Sequence, residues 1–325
     1  MHFDIDVLLP FHNVDRYFFE ALDSLSASKN VNIRLILIDD TIAQNFQPKT
    51  SSAIFKKIEL IRTGGSKGYG EALKYGSQLI SSEIVGLSNS DDLISSLRFK
   101  KQIPVLEHSD LSITGLQRIS PNGKKIGSLV GNIKSSQFHN LFLLLGSYGA
   151  NASWVMRRTW WDNNVFFDND ECLDWRIALK TFEDTKVDWN PEKLYMYRKH
   201  KNQVTDQNNL IQLRMDIVYK AWQSLADKYG LSNNSKENFY IYATPWLKRP
   251  IFDLDSAENW KNDLTKLAKS TNKEVHLVVS KILKRRQIFA LVNHPQISFL
   301  KYRSNYSTIS EAPKLIYDYV RSLRK

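Results

Sequence analysis

The residues best suited to chemistry form the run Asn89-Ser90-Asp91-Asp92, which follows the apolar segment 83–88. Two adjacent carboxylates at a strand end, facing a cleft, suit Mg²⁺ or Mn²⁺, because these cations take carboxylate oxygens and keep positions open for phosphate oxygens. A cation held there would neutralise a leaving diphosphate. The run is equally typical of a helix N-terminus, with Ser90 or Asp91 capping a helix over 93–102, so both interpretations stay open.

A second acidic pair, Asp39-Asp40, follows the apolar segment 33–38. A carboxylate at the end of a strand can accept a hydrogen bond from a base N–H or a sugar hydroxyl. Adjacent aspartates are also common in turns, where they bond to nearby backbone groups. Taken alone, the pair favours the turn.

A third acidic group lies in residues 170–182, where Asp170, Glu171 and Asp174 fall within little more than one helical turn. A carboxylate near the start of such a helix could act as a general base if it faced the cleft. The alternative is structural, because acids at a helix N-terminus interact favourably with the helix dipole.

Basic and glycine-rich segments complete the set of candidates. Tyr197, Arg198 and His200 follow a predicted strand, where the cations could hold a diphosphate and a neutral histidine could ligate a metal. A lone histidine in a loop is more often simply solvated. The glycines at 64, 65, 68 and 70 fit neither a P-loop nor the G-x-G-x-x-G motif. This turn is therefore not expected to bind a dinucleotide.

The elements that must position these residues alternate along the first third of the chain. Strands are predicted over 5–9, 33–38, 58–61 and 83–88, and helices over 15–28 and 70–81. Such alternation predicts an α/β fold with a parallel, doubly wound sheet. Ligands bind beyond the carboxyl ends of the strands in these sheets, and the acidic pairs and the glycine turn lie at that edge.

The rest of the chain changes character. Strands are predicted over 111–119 and 125–130, and a helix over 171–183. From residue 206 the pattern is helical and aromatic, without strand–helix alternation. The sequence therefore predicts an α/β domain over residues 1–205 and a helical, basic domain over residues 206–325.

Composition limits the class of protein. The 325 residues are 42% hydrophobic and 24% charged, as in ordinary globular proteins, which excludes wholesale disorder. The single cysteine, Cys172, excludes an intramolecular disulfide and a multi-cysteine zinc site. The sequence begins with acids where a signal peptide would carry positive charge, and no apolar run reaches the ~20 residues of a membrane span. We therefore expect a cytoplasmic protein.

The positive charge is unevenly distributed. Residues 236–325 contain 17 Lys and Arg against 8 Asp and Glu, a net of +9 out of a total of +11. This excess indicates an anionic partner. Because it lies away from the predicted α/β domain, it favours a membrane surface or an acidic acceptor, and we expect no nucleic-acid partner.

One segment of the C-terminal part is both basic and amphipathic. Residues 274–292 combine a wide apolar face with Lys281, Lys284, Arg285 and Arg286, and the tail at 313–325 has a similar character. Such helices could dock on the anionic inner face of the cell membrane as a peripheral protein. They could equally pack on the α/β domain with a solvated basic face, or form a homo-oligomer, for which the aromatic stretch 238–246 would suit the interface.

Seven short motifs occur in a characteristic order. They are LLPFHN at 8–13, LIDD at 37–40, GYGEALKYG at 68–76, LSNSDD at 87–92, ASWVMRR at 152–158, LDWRIALK at 173–180 and YRKH at 197–200. In order and spacing they resemble the inverting nucleotide-sugar transferases of glycosyltransferase family 2. The resemblance covers residues 4–205 and does not extend to the helical C-terminal part.

The resemblance implies a GT-A fold, which is a Rossmann-like α/β domain with a mostly parallel sheet flanked by helices, here with a helical C-terminal extension. Asp40 would recognise the base, typically uracil, with Asp39 beside it, and Pro10 and Phe11 would line the base pocket. The residues that it assigns to nucleotide-sugar binding are Pro10, Phe11, Asn13, Asp39, Asp40, Gly68, Asn89, Ser90 and Arg198.

The resemblance also implies a metal site and a base. Asp91 would hold Mn²⁺ or Mg²⁺, supported by Asp92 and His200, although Asn89 replaces the usual first aspartate of the motif and brings no charge. Asp174 would be the catalytic base, with Leu173 in place of the usual glutamate. Asp170 and Glu171 remain alternatives if the helix is aligned differently. Two aromatic residues would meet the acceptor, namely Trp154 and Trp175.

The implied activity is that of a hexosyltransferase in polysaccharide biosynthesis. A sugar would move from a UDP-linked donor to a hydroxyl of a growing surface glycan or a lipid-linked oligosaccharide, with inversion. The alternative is a non-catalytic module of the same fold that binds a nucleotide-sugar or a glycan. Leu173 and Asn89 favour this alternative, since each replaces a usual acid.

Overall fold

The computed structural model describes residues 3–43, 45–48, 55–65, 67–129, 139–146, 149–167, 172–181, 184–201, 211–231, 234–244, 254–271 and 273–292. The chain divides into two compact units, one formed by residues 1–139 and 148–218 and the other by residues 140–147 and 219–325. Compact units need not coincide with folding domains, so the division predicted at residues 205 and 206 stays a prediction.

Over the described residues, the first unit is built on a nine-stranded mixed sheet. Its strands are β1 (Phe3–Phe11), β2 (Val31–Asp39), β3 (Phe55–Arg62), β4 (Ile84–Leu87), β5 (Leu93–Ile94), β6 (Leu111–Ile119), β7 (Lys125–Leu129), β8 (Val155–Arg157) and β9 (Val187–Arg198). Their order is β3-β2-β1-β4-β8-β6-β9-β5, with β7 paired to β6. The first four strands are parallel, while β8 runs antiparallel to both β4 and β6.

The central strand β1 shows why this sheet forms. Every residue from Ile5 to Phe11 is buried, because a central parallel strand is covered on both faces and so is apolar on both. Asp6 is the exception, and its carboxylate accepts hydrogen bonds from the Arg34 guanidinium at 2.8 Å and from the backbone N–H of Ser81 at 2.6 Å. The acid thus joins the strand to β2 and to the turn before β4.

Helices flank the sheet. They are α1 (Arg16–Ser26), α2 (Tyr69–Ser77), α3 (Arg98–Gln102), α5 (Arg158–Asn164) and α6 (Leu173–Thr181). Helix α1 begins where the Asp15 carboxylate accepts from the N–H of Tyr17 at 2.8 Å, and it buries Phe18, Ala21 and Leu25 at helical spacing. The predicted α/β fold of GT-A type is confirmed, and so is a helical C-terminal part.

Two predicted helices differ from the structure. The helix considered over 93–102 is wrong at its start, because Leu93 and Ile94 pair with β9 as strand β5 and helix α3 begins only at Arg98. The acidic run at 89–92 is therefore not a helix N-cap. Helix α2 ends at Ser77 and not at residue 81, since the N–H groups of Leu79 and Ile80 bond three residues back and tighten the chain into a turn.

The second unit is helical. It contains most of α4 (His139–Leu144), the second half of α7 (Ile211–Lys228), the short α8 (Lys236–Asn238) with a π-helical turn at Phe239–Ala243, and the long helices α9 (Leu254–Thr271) and α10 (Lys273–Val292). The aromatic rings of Trp222 and Trp260 stack at 4.6 Å in its core. No helix in the described part of the chain is long and apolar enough to cross a bilayer.

A glycine in this unit gives a test of its packing. Gly146 has φ +69°, and a Cβ there would lie 2.0 Å from the backbone oxygen of Ala243. Gly230 has φ +60° with open space around it. We expect Gly230→Ala to cost about 1 kcal/mol for its left-handed backbone alone, and Gly146→Ala to cost several times more, because the clashing atom is backbone. Urea denaturation of both variants checks this; equal losses would show that Ala243 gives way freely.

Candidate active site

The Asp40 carboxylate organises the glycine-rich turn. Its Oδ1 accepts hydrogen bonds from the Thr63 hydroxyl and from the N–H of Lys67 at 2.8 Å, and its Oδ2 accepts from the N–H of Gly68 at 3.0 Å. The side chain is almost fully buried. Asp40 thus fixes the end of the turn, where Gly68 adopts φ +93° and caps helix α2. Whether it also recognises a base stays a prediction.

The other residues predicted around the base lie at the ends of β1 and β2. Asp39 is buried and accepts from the N–H and the hydroxyl of Thr41 at 3.0 and 2.6 Å. Pro10 and Phe11 are buried, and the Phe11 ring packs at 4.7 Å from the ring of Phe18. Asn13 is exposed in the loop that follows. The three buried residues shape this end of the sheet from within.

Asp91 and His200 come together from distant parts of the chain. The Nε2 atom of His200 lies 2.9 Å from Oδ2 of Asp91, and both side chains are partly exposed. The imidazole also packs at 5.2 Å from the ring of Tyr17. The acid that follows β4 and the histidine that follows β9 therefore form one polar pair, and whether this pair holds a cation stays a prediction.

Asp92 is turned the other way, into the protein. It is 1% exposed, and its carboxylate accepts from the Tyr195 hydroxyl at 2.9 Å, the Asn89 amide at 3.2 Å and the N–H of Arg198 at 2.7 Å. Burial, with the neighbouring charge of Asp91, raises the pKa of Asp92 to about 7. Between Asn89 and Asp91, Ser90 forms the turn.

Arg198 joins four segments of the chain. Its guanidinium is fully buried and donates to the backbone oxygens of Asp91 at 2.8 Å and Pro121 at 2.9 Å. It also pairs with Glu20 at 2.6 Å and lies 4.6 Å from the centre of the Tyr17 ring. These contacts hold the turn after β4 against α1 and the β6–β7 hairpin. A diphosphate would reach this guanidinium only after displacing such contacts.

A second buried arginine, Arg98 on α3, ties two strand ends together. It donates to the backbone oxygens of Leu87 at 3.0 Å and Trp154 at 3.4 Å, and to the amide oxygen of Gln102 at 2.9 Å. Its guanidinium lies 5.1 Å from the centre of the Tyr195 ring. Burial lowers the pKa of Arg98 to about 10, so it remains charged at neutral pH.

Asp174 lies in a small cavity beyond the end of β4. The cavity is formed by Tyr69, Leu73, Leu87, Asn151, Trp154, Trp161, Val165, Leu173, Asp174 and Ile177. Leu87 immediately precedes the segment that leads to the acidic run, and Tyr69 immediately follows Gly68, which Asp40 holds. Asp174 is thus linked to both strand-end acids through neighbouring residues.

The predicted acceptor residues lie at different places in this region. Trp154 is 1% exposed and lines the cavity, whereas Trp175 is 7% exposed and is not among the residues that line it. The alternative bases Asp170 and Glu171 lie outside the described residues. Asp174 is therefore the candidate base that the structure places in the cavity.

The donor set fits a cation only in part. Ligands at 90° around Mg²⁺ with bonds of about 2.1 Å are about 3 Å apart, and the Asp91 and His200 atoms lie at 2.9 Å. Asp92 fits less well, because its oxygens are engaged inside the protein. Over the described residues, no cluster of three or more acidic, histidine or cysteine side chains could form a cage. Two ligands leave most positions around Mg²⁺ or Mn²⁺ to be filled by other groups.

Sequence reasoning missed the supporting residues Tyr17, Glu20, Arg98 and Tyr195. Tyr17 and Glu20 are three residues apart beside the buried stripe of α1, so their common face could have been inferred. Arg98 and Tyr195 gave no comparable signal, because a charged helix residue and a strand tyrosine are usually solvated. Only the sheet topology brings them to Asp92.

Comparison with known proteins shows what the chain is similar to. Residues 6–158 match the model of glycosyl transferase family 2. A curated relative, the uncharacterized glycosyltransferase EpsJ of Bacillus subtilis (strain 168), is 21% identical over 260 residues, which are 73% of this chain and 74% of EpsJ.

Solved structures agree on the fold. The crystal structure of S. aureus TarS 1-349 in complex with UDP-GlcNAc is 14% identical, with 94% of this chain and 93% of that chain covered and a TM-score of 0.56. The same TarS fragment in complex with UDP has a TM-score of 0.57 at the same identity and coverage. Residues 6–158 are thus similar to glycosyl transferase family 2, the curated relative supports that similarity, and the solved structures share the fold.

Proposed function

We propose that the chain transfers a hexose from a nucleotide-sugar to an acceptor hydroxyl in one inverting displacement. The observation that supports the proposal is the placement of Asp40 and Asp91 shortly after two parallel strands, with Asp174 in a cavity that the last residue of β4 also lines. The Asp40 carboxylate accepts a hydrogen bond from Gly68. The next residue, Tyr69, lines the same cavity as Leu87 and Asp174. Asp91 follows Leu87 closely in the sequence. A donor bound across these strand ends would have a phosphate-binding side and a base side.

The proposed donor is a UDP-sugar, which would release UDP. TarS, whose fold this chain shares, has been crystallised with UDP-GlcNAc and with UDP. At 14% identity this similarity supports the fold, and the donor class follows from it only as a proposal. The uridine would lie near the ends of β1 and β2, by Pro10, Phe11, Asn13 and the aspartates 39 and 40.

The diphosphate side would be formed by Asp91 and His200. These two side chains would hold Mn²⁺ or Mg²⁺ together with phosphate oxygens of the donor, and the cation would stabilise negative charge on the leaving diphosphate. Asp92 would not ligate it but would fix the turn that carries Asp91, through Tyr195 and the Arg198 backbone. Asn89 supports Asp92 with its amide, which needs no charge.

Asp174 would act as the base. Its carboxylate would take the proton of the acceptor hydroxyl as the oxygen attacks the anomeric carbon. The bond from that carbon to the diphosphate oxygen breaks in the same step, and its electron pair leaves with the nucleoside diphosphate. One displacement inverts the anomeric configuration, and no covalent enzyme intermediate is needed.

The proposed acceptor is a surface glycan or lipid-linked oligosaccharide, made at the inner face of the membrane. The outward row of α10 supports this location, since Lys273, Leu277, Lys281 and Arg285 recur every four residues and are all exposed. Three of the four are cations, and Leu277 is 57% exposed. Such a row could contact lipid phosphates while an apolar side chain enters the interface.

A non-catalytic binding module is the second candidate. Leu173 replaces the usual acid beside the base and is itself buried in the cavity wall. This candidate and the transferase differ in one measurement, because a transferase usually releases some nucleoside diphosphate from its donor in the presence of Mn²⁺ or Mg²⁺. Screening UDP-sugars for UDP release therefore decides between them.

The base assignment predicts a specific loss. Asp174→Asn should abolish transfer, by 10²-fold or more, while UDP still binds, because an amide cannot accept the proton. Transfer rates and calorimetric UDP binding measure the two properties. Asp184→Asn, an exposed acid shortly after α6, is the matched control and should behave as wild type. Full transfer by the Asp174 variant would show that another group is the base.

The metal assignment predicts a loss of binding. Asp91→Ala should weaken Mn²⁺-dependent UDP binding by 10-fold or more, because the cation loses its only anionic protein ligand in the proposed site. Calorimetric titration with UDP, with Mn²⁺ or with EDTA, measures the difference. If the wild-type chain bound UDP equally tightly with Mn²⁺ and with EDTA, a role for the cation in UDP binding would be contradicted.

The proposed membrane surface predicts charge-dependent binding. Replacing both Lys281 and Arg285 with Glu should reduce co-flotation with vesicles that contain anionic phospholipid. Each basic residue near such a surface contributes about 1 kcal/mol to the free energy of membrane binding. The matched control replaces Lys266 and Lys269 with Glu; these two lysines are also exposed but lie on α9. Absence of wild-type binding, or equal losses in both variants, would contradict docking through α10.

A further inference from the structure

The contact between Glu20 and Arg198 has no role in the chemistry described above. The two side chains are paired at 2.6 Å, with Arg198 fully buried and Glu20 45% exposed. The same guanidinium contacts Asp91, but at the backbone oxygen, 2.8 Å away. The carboxylate of Asp91 is instead in contact with His200. Arg198 thus lies beside the proposed cation ligand without an ion pair to its side chain.

This arrangement is unusual for the groups involved. A guanidinium and a carboxylate form strong, often bidentate hydrogen bonds when geometry allows. The Glu20 carboxylate and the backbone oxygen of Asp91 contact the same buried arginine, which places the Asp91 side chain in its neighbourhood. Pairing with Glu20 occupies Nη2, while Nε and Nη1 are engaged by the backbone oxygens of Asp91 and Pro121.

Helix α1 supports this geometry at a second point. Tyr17 lies three residues before Glu20 and therefore on the same side of the helix. Its ring is 4.6 Å from the Arg198 guanidinium and 5.2 Å from the His200 ring. One face of α1 thus contacts both the arginine and the histidine that flank Asp91.

We infer that Glu20 is a positioning residue, which holds Arg198 away from the Asp91 carboxylate and so keeps that carboxylate available to a cation. The inference rests on the proposed function, in which Asp91 and His200 hold the donor's metal. If Glu20 loses its charge, Nη2 of Arg198 loses this anionic contact and Asp91 becomes a nearby alternative. An Arg198–Asp91 ion pair would then compete directly with Mn²⁺.

The test is the affinity of the full chain for Mn²⁺, measured from the electron paramagnetic resonance signal of the free ion. Glu20→Gln should weaken binding about 10-fold, the size typical of a lost supporting contact behind a metal ligand. Asp23→Asn removes the same charge from an exposed position of the same helix and should leave the affinity unchanged. Equal affinities in wild type and Glu20→Gln would overturn the inference.

A double-variant cycle tests the route through Arg198. In an Arg198→Gln background no cation remains at this position to pair with Asp91, so Glu20→Gln should cause no further loss of Mn²⁺ affinity. Additive losses would overturn the inference. A wild-type chain that binds no Mn²⁺ would instead contradict the metal site itself.

Discussion

The hydrogen bonds of the buried Asp92 carboxylate are the constraint on which the rest of the site depends. Strands β4 and β9 are not neighbours, because β8 and β6 lie between them in the sheet. Asp92 nevertheless bonds to Tyr195 and to the N–H of Arg198 on β9. A buried carboxylate left without such partners would be costly. The turn after β4 is therefore held to the end of β9, and Asp91 is brought within reach of His200.

The two buried arginines extend this constraint to other segments. Arg98 donates to the backbone oxygens of Leu87, at the end of β4, and of Trp154, just before β8. Arg198 holds the turn at Asp91 against α1 and the β6–β7 hairpin. Arginine suits both places, since its planar fork reaches several carbonyl oxygens and stays charged when buried. Both arginines thus position the chain around the proposed donor site mainly through backbone oxygens. Such contacts do not depend on the side chains of the residues that supply the oxygens.

The sheet and its edge could be predicted because the early strands are continuous apolar segments, each followed by a polar turn. The same logic failed at residues 93–102, where a capping pattern predicts a helix and a pairing with β9 makes Leu93 and Ile94 a strand. Strand pairing between residues a hundred positions apart leaves no local signal. For the same reason the sequence could place Arg198 near a diphosphate but could not show that its guanidinium is buried among backbone oxygens.

The two aspartate pairs show why the sequence alone could not tell which carboxylate is buried and which is exposed. Both aspartates of the 39–40 pair are buried, with Asp39 bonded to Thr41 and Asp40 bonded to the glycine turn. In the acidic run only the second aspartate, Asp92, is turned inward, where it is bonded to β9. The first, Asp91, meets His200. Successive side chains at a strand end point to opposite sides, so one carboxylate of a pair can fix the loop while the other faces a ligand. In the Asp91–Asp92 pair, Asp92 therefore fixes the turn while Asp91 stays partly exposed beside His200, and only the fold shows which carboxylate does which.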